Sequence, residues 1–149
     1  EGDLENLKTL SLTDLNTPDN ESGNTPLVWA SDAGHIKVVE FLIEQGVNLN
    51  MQGYLGATAI CRASRRGHTE IVELLLTHNA DPYISNDKMQ YPLHFAAFKL
   101  NKDVVDILLK HGANTFVLDR KGRTPAEDTS DTSIREMIMN ARPTIPGLS

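Results

Sequence analysis

Gly56-Ala57-Thr58-Ala59-Ile60-Cys61-Arg62-Ala63-Ser64-Arg65-Arg66-Gly67-His68-Thr69-Glu70-Ile71-Val72-Glu73-Leu74-Leu75-Leu76 contains two helix-forming runs separated by a glycine. In the second run the apolar pairs Ile71-Val72 and Leu75-Leu76 stand four apart, which paints one stripe along a helix. A shift of 33 residues superimposes the chain on this stretch in both directions without a gap. Gly56-Ala57-Thr58-Ala59-Ile60 corresponds to Gly23-Asn24-Thr25-Pro26-Leu27, to Met89-Gln90-Tyr91-Pro92-Leu93 and to Gly122-Arg123-Thr124-Pro125-Ala126. The second run corresponds to Val38-Val39-Glu40-Phe41-Leu42-Ile43 and to Val104-Val105-Asp106-Ile107-Leu108-Leu109.

Each unit therefore reads as a turn, a short helix, a tight break at Gly34 or Gly67, and a longer amphipathic helix. Pro26 and Pro92 fit the first turn of the short helix, and Gly46 and Gly112 stop the longer one. A fixed period of this length is the mark of a stacked solenoid. These residues resemble the ankyrin repeat, whose units carry a T-P-L-H-x-A-A-x-x-G-H pattern over 33 residues. The resemblance implies an all-α ankyrin-repeat solenoid of helix-turn-helix units with short hairpin fingers. Its expected extent is residues 1–141, in units of about 1–18, 19–51, 52–84, 85–117 and 118–141, followed by an extended tail over 142–149.

Departures from the pattern carry information. Leu100 replaces the break glycine, so a left-handed backbone there would cost of order 1 kcal/mol unless Asn101 takes the role; a distorted turn is expected. Thr129, Ser130 and Ser133 make the last unit more polar, as suits a closing cap. Gly2 to Leu7 reads as the break and second helix of a unit lacking its first helix, with Leu4, Leu7 and Leu10 uncovered, so upstream residues are expected in the parent protein. Pro143, Pro146 and Gly147 rule out a helical tail; it is expected to be disordered or to dock in a groove.

Of 149 residues, 40% are hydrophobic and 23% charged, values of an ordinary globular protein. No apolar run approaches bilayer length and the first residues lack a signal sequence. The single cysteine, Cys61, excludes an internal disulfide framework. A cytoplasmic or nuclear location follows as the expectation. The formal net charge of −6 weighs against nucleic-acid binding.

The resemblance implies a concave surface made of turn tips and first helices, with equivalent residues in adjacent units about 10 Å apart. Eight of the fourteen basic residues map there: Arg62, Arg65, Arg66, Lys88, Lys99, Arg120, Lys121 and Arg123. Acidic residues Glu40, Glu44, Glu70, Glu73, Asp103 and Asp106 fall on the second helices. Trp29, Asp32, Tyr54, Leu55, Gln90, Phe95 and Phe98 complete the expected binding surface. Arg62, Arg65 and Arg66 put three like charges on one helix face, at a cost of a few tenths of a kcal/mol per pair. They either pair internally, Asp32 preceding Arg65 by one unit, or capture a carboxylate or phosphate of a partner. Trp29, Arg62 and Phe95 form a column, in which Arg62 is expected to stack on either ring. Phe98 either packs against the Leu100 turn or stays exposed.

Other chemistry is less well supported. His35 and His68 recur one period apart, too far apart to converge on one metal ion, and His94 stands in the T-P-L-H-like segment, where the resemblance implies a structural role. His78 and His111 suit helix C-termini. Cys61 reads as a packed thiol, with Arg62 placed to lower its pKa somewhat. No nucleotide-binding or hydrolase motif occurs. Asn20-Glu21-Ser22 matches a glycosylation sequon, and Gly53-Tyr54-Leu55-Gly56 has the G-x-x-G form of an RNA-binding loop. Asn50 resembles the ankyrin asparagine modified by oxygen-dependent hydroxylases; alternatively it bonds its own turn. The reading is a non-catalytic, cofactor-free, monomeric module that binds an acidic or phosphorylated protein segment with an apolar anchor. The alternative is a targeting or regulatory domain of a larger enzyme whose catalytic part lies outside this chain.

Overall fold

Thr25 and Thr58 fix where the first helices of their units begin. Their hydroxyls accept the N–H groups of Val28 and Cys61, each at 3.3 Å, satisfying donors that a helix start leaves open. At the same place in the next two units a side chain reaches back. His94 Nδ1 accepts the Tyr91 N–H at 3.1 Å, and Glu127 Oε2 accepts the Thr124 N–H at 2.7 Å. A computed structural model of the protein describes residues 4–143. Among them lie α1 (Leu4–Leu7), α2 (Leu12–Leu15), α3 (Pro26–Ala33), α4 (Ile36–Glu44), α5 (Ala59–Arg66), α6 (Thr69–Thr77), α7 (Pro92–Phe98), α8 (Lys102–Lys110), α9 (Pro125–Asp128) and α10 (Thr132–Asn140), and no strand. What the sequence suggests for Gly2, Asp3 and the tail from residue 144 lies outside the described residues.

The helices form two layers. Inner helices α3, α5, α7 and α9 stack side by side, and outer helices α4, α6, α8 and α10 do the same behind them. The repeat register is visible in the core. Val39, Val72, Val105 and Ile138 stand 33 residues apart and are all fully buried, as are Leu42, Leu75 and Leu108. They belong to one continuous apolar cluster; truncating such a leucine to alanine costs about 2–5 kcal/mol. Leu4 and Leu7 are only half-buried against it and Leu10 is exposed, as a first unit with an uncovered face requires.

The break between layers is a left-handed residue: Gly34 at φ 81°, Gly67 at φ 75° and Leu100 at φ 60°. A Cβ on Gly34 would meet the His68 ring at 2.8 Å, so glycine is required there by space as well as by torsion. The distorted turn expected at Leu100 does not form. Leu100 itself adopts the glycine conformation, at about 1–2 kcal/mol, because the neighbouring bonds hold the turn in register. Asn101 Nδ2 donates to the Ser64 carbonyl at 3.1 Å, doing between the fourth and third units what His68 Nε2 does at 3.0 Å to the Asp32 carbonyl.

The fingers are joined in the same way. Tyr54 N–H donates to Asn24 Oδ1 at 2.8 Å, Asp87 N–H to the Leu55 carbonyl at 3.0 Å and Arg120 N–H to the Lys88 carbonyl at 3.1 Å. At the far end Arg135 donates to the carbonyls of Ala126 and Thr129 at 3.2 and 2.9 Å, closing the short α9. Thr129, read as a polar cap residue, is buried, its hydroxyl accepting the Asp131 N–H at 3.2 Å.

Ser31 and Ser64 are fully buried and their hydroxyls have no partner, whereas the equivalent residue of the fourth unit is the buried Ala97. A buried unpaired hydroxyl is unfavourable. Ser31→Ala and Ser64→Ala are each expected to stabilise the protein by about 0.5–1.5 kcal/mol, measured as a higher urea midpoint at unchanged slope.

Candidate functional site

The concave face is assembled from α3, α5, α7 and the fingers that precede them. Trp29, Tyr54, Leu55 and Phe98 are 50–60% exposed on it. Arg62, Phe95 and Gln90 are half-buried, while Arg65, Lys88, Lys99, Arg120 and Lys121 are exposed. Ala57, at the base of the finger that carries Tyr54 and Leu55, is buried.

The arginines of α5 divide by role. Arg66 reaches back one unit and grips Asp32 with Nε and NH2 at 3.2 and 3.4 Å; the sequence had paired Asp32 with Arg65, one position short of the real partner. Arg62 does not stack on Trp29 or Phe95 as the column suggested. Its guanidinium lies 5.9 Å from the Tyr54 ring centroid and donates to the Tyr54 carbonyl at 2.9 Å, leaving its buried Nε without a partner. Trp29 stacks on His35 at 5.8 Å, and Arg65 lies 6.0 Å over Phe95. Each α5 guanidinium outside the Asp32 pair thus lies on an aromatic ring, a favourable contact of about 0.5–2 kcal/mol.

Two hollows follow from this arrangement. A notch of about 320 Å³ is lined by Glu21, Asn24, Trp29, Asp32, Tyr54 and Arg62. A crevice of about 30 Å³ separates Leu55, Arg62, Arg65 and Phe95 above Cys61. A larger hollow of about 1030 Å³, bordered by Leu7, Leu10, Pro26, Trp29 and Val38, lies at the first unit. Sequence reasoning missed it; the signal available was the uncovered Leu7 and Leu10.

Arg123 is placed differently from the expectation of a groove cation. It pairs with Asp119 at 3.3 Å and Asp128 at 3.0 Å, both carboxylates almost fully buried, so its charge is committed internally. His94, buried beside them, has Nδ1 on the Tyr91 N–H and Nε2 at 2.9 Å from the Arg123 carbonyl; the carbonyl requires Nε2 to carry the proton. His94, Asp119 and Asp128 bring ligand-type atoms within 4.8 Å of one another, but both imidazole nitrogens are engaged and the guanidinium answers the carboxylates. Burial pushes the Asp119 carboxyl up, yet the Arg123 and Lys121 N–H groups and the guanidinium hold it below the usual range. For Asp128 burial outweighs Arg123 and raises it.

Arg62, Arg65, Lys88, Lys99, Arg120 and Lys121 form no ion pair among the described residues. Arg120 donates to the Asp87 carbonyl. Gln90 serves its own finger, accepting Asn86 Nδ2 at 3.0 Å. Phe98 does not pack into the Leu100 turn; at 60% exposed it faces outward with Lys99 5.8 Å from its ring. Asn50 bonds the next unit's turn and not its own, Oδ1 accepting the Asp81 N–H at 2.8 Å. Cys61 is buried, and burial pushes its thiol up despite the Thr58 bond and Arg62, overturning the lowered pKa expected from Arg62.

A family model described as ankyrin repeats in three copies matches residues 1–86, and one for a single ankyrin repeat matches residues 90–120. The chain belongs to the ankyrin-repeat family, whose arrays are in general protein-binding modules. No curated protein matches the chain. No helix among the described residues is long and apolar enough to cross a membrane.

Two expectations follow. Because Asp119 has a lowered folded-state pKa, its contribution is present above its unfolded value near pH 4 and is lost as pH falls through the folded value. Asp119→Asn should therefore cost about 1–3 kcal/mol at pH 7, and its gap to the wild type should begin to close only as pH falls below about 4, as read by urea unfolding across that range. Cys61 should resist a thiol reagent such as dithionitrobenzoate in the native protein and react promptly in denaturant, a buried raised-pKa thiol being inert.

Proposed function

We propose that this array is a non-catalytic, monomeric module that binds an acidic or phosphorylated segment of another protein across its concave face, with an apolar side chain as anchor. The observation that carries the reading is the state of Arg62 and Arg65. Both guanidiniums lie on aromatic rings, neither has a carboxylate partner among the described residues, and Arg62 keeps a buried Nε unpartnered. Planar forks held on rings are oriented for bidentate capture of a carboxylate or phosphate. The exposed Trp29, Tyr54 and Leu55 beside them supply anchor chemistry typical of binding hot spots. Lys88, Lys99, Arg120 and Lys121 extend the positive potential toward the later units, while the outer helices carry Glu40, Glu44, Glu70, Glu73, Asp103 and Asp106. An anionic partner is thereby steered to one side of the molecule.

The test is affinity capture from cell lysate with wild type, Arg62→Glu/Arg65→Glu and Arg66→Glu as baits, each shown to be folded by circular dichroism. A discrete partner retained by the wild type and by Arg66→Glu, but lost by the double variant, is the expected result. Equal retention by all three would remove the anion-reading role. For an identified partner, affinity should fall steeply with salt, as expected for exposed charges.

A further inference from the structure

Among the described residues, four that are not glycine have a left-handed backbone: Leu55, Asn79, Met89 and Leu100. Asn79 belongs to a residue type that tolerates this conformation. The other three are large apolar residues and are 48–50% exposed. Met89, at φ 58°, occupies the slot filled by Gly23, Gly56 and Gly122 in the other units, at φ 74°, 75° and 76°. Leu100 occupies the slot of Gly34 and Gly67. The fourth unit thus departs from glycine at both ends of α7, and both times places a strained side chain half in solvent. Phe98, the most exposed large apolar side chain among the described residues, stands on the same helix. Strain and apolar exposure both work against folding, and each would be relieved by the glycine that the other units use.

We propose that Leu55, Met89, Phe98 and Leu100 form an apolar contact ridge that runs from the finger of the third unit along the fourth. It takes an acidic protein segment bearing two apolar side chains, one at the finger tip and one at the far end of α7. This rests on the anion-reading groove above and adds where and in what direction the segment lies. Charge decides the occupant: Arg65, Lys88 and Lys99 of the same two units have no carboxylate partner among the described residues, Lys99 lying 5.8 Å from the Phe98 ring, and at the far end Asp103 stands beside Leu100 together with Lys102. Asp87 is the acidic side chain of the fourth unit's finger, and its backbone carbonyl binds Arg120. The seven residues of α7 span about 10 Å. An extended ligand therefore needs apolar residues roughly three or four positions apart and runs parallel to α7, crossing the stack.

A phage-displayed library of random twelve-residue peptides panned on the 149-residue chain tests this, followed by titration of the strongest synthetic peptide against variants. The expected selection is acidic, with two apolar positions at that spacing. Met89→Gly and Leu100→Gly should each weaken binding at least tenfold while melting at the same or a higher temperature, which separates lost contact from lost fold. Binding lost in Arg62→Glu/Arg65→Glu but kept within twofold in both glycine variants overturns the ridge and leaves the groove standing. No acidic enrichment, or indifference to all the variants, overturns both. Self-association on sedimentation that the glycine variants abolish would make a second copy the occupant and overturn the acidic-segment assignment.

Discussion

A pair of short helices has two apolar faces and can cover only one of them with its own partner. Every unit here therefore depends on its neighbours, and the fixed register of Val39, Val72, Val105 and Ile138 is the outcome of that dependence. The polar contacts obey the same rule. His68 with Asp32, Asn101 with Ser64, His94 with Arg123, and the finger-to-finger amide bonds all reach from one unit to an adjacent one. Apolar stacking sets the distance between units and these bonds set their rotation. A concave face with positions repeating at a constant interval is the geometric result.

That lattice also decides which charges are available to a partner. Arg66 and Arg123 look like groove cations in sequence but are consumed in tying α5 to Asp32 and the last finger to Asp119 and Asp128. Arg62 and Arg65, one helical turn away from such a fate, lie on Tyr54 and Phe95 instead. A ring restricts a guanidinium without neutralising it, so the side chain is ordered and still charged. The arginines of this face therefore divide by what their guanidiniums meet: a carboxylate for Arg66 and Arg123, an aromatic ring for Arg62 and Arg65.

The architecture was legible in the sequence because the apolar stripe, the helix-start residues and the break glycines all repeat with one period. Side-chain pairing was not, for a physical reason. Register places Cα atoms but not the ends of long flexible chains, so Asp32 was matched with the residue in its own column although Arg66, one further along, reaches it. Leu100 was recognised as a departure and misjudged in its effect: the bonds of Asn101 hold the glycine conformation in place. Met89 stood in the same kind of slot and went unread, since nothing in its chemical type signals a positive φ. The burial that raises the Cys61 thiol depends on packing around it, which adjacent charge in sequence does not reveal.

The inter-unit bonds have one more consequence. Those between His94 and Arg123 and between Asn101 and Ser64 join residues 29 and 37 apart in the chain, so contact order stays low however many units are added. Loop closure is then a small, repeated entropic step, and folding can start at any adjacent pair and spread outward. The same connectivity makes the array a series spring: tension applied at its ends is borne by each interface in turn, and units can peel away singly while the remainder keeps its shape.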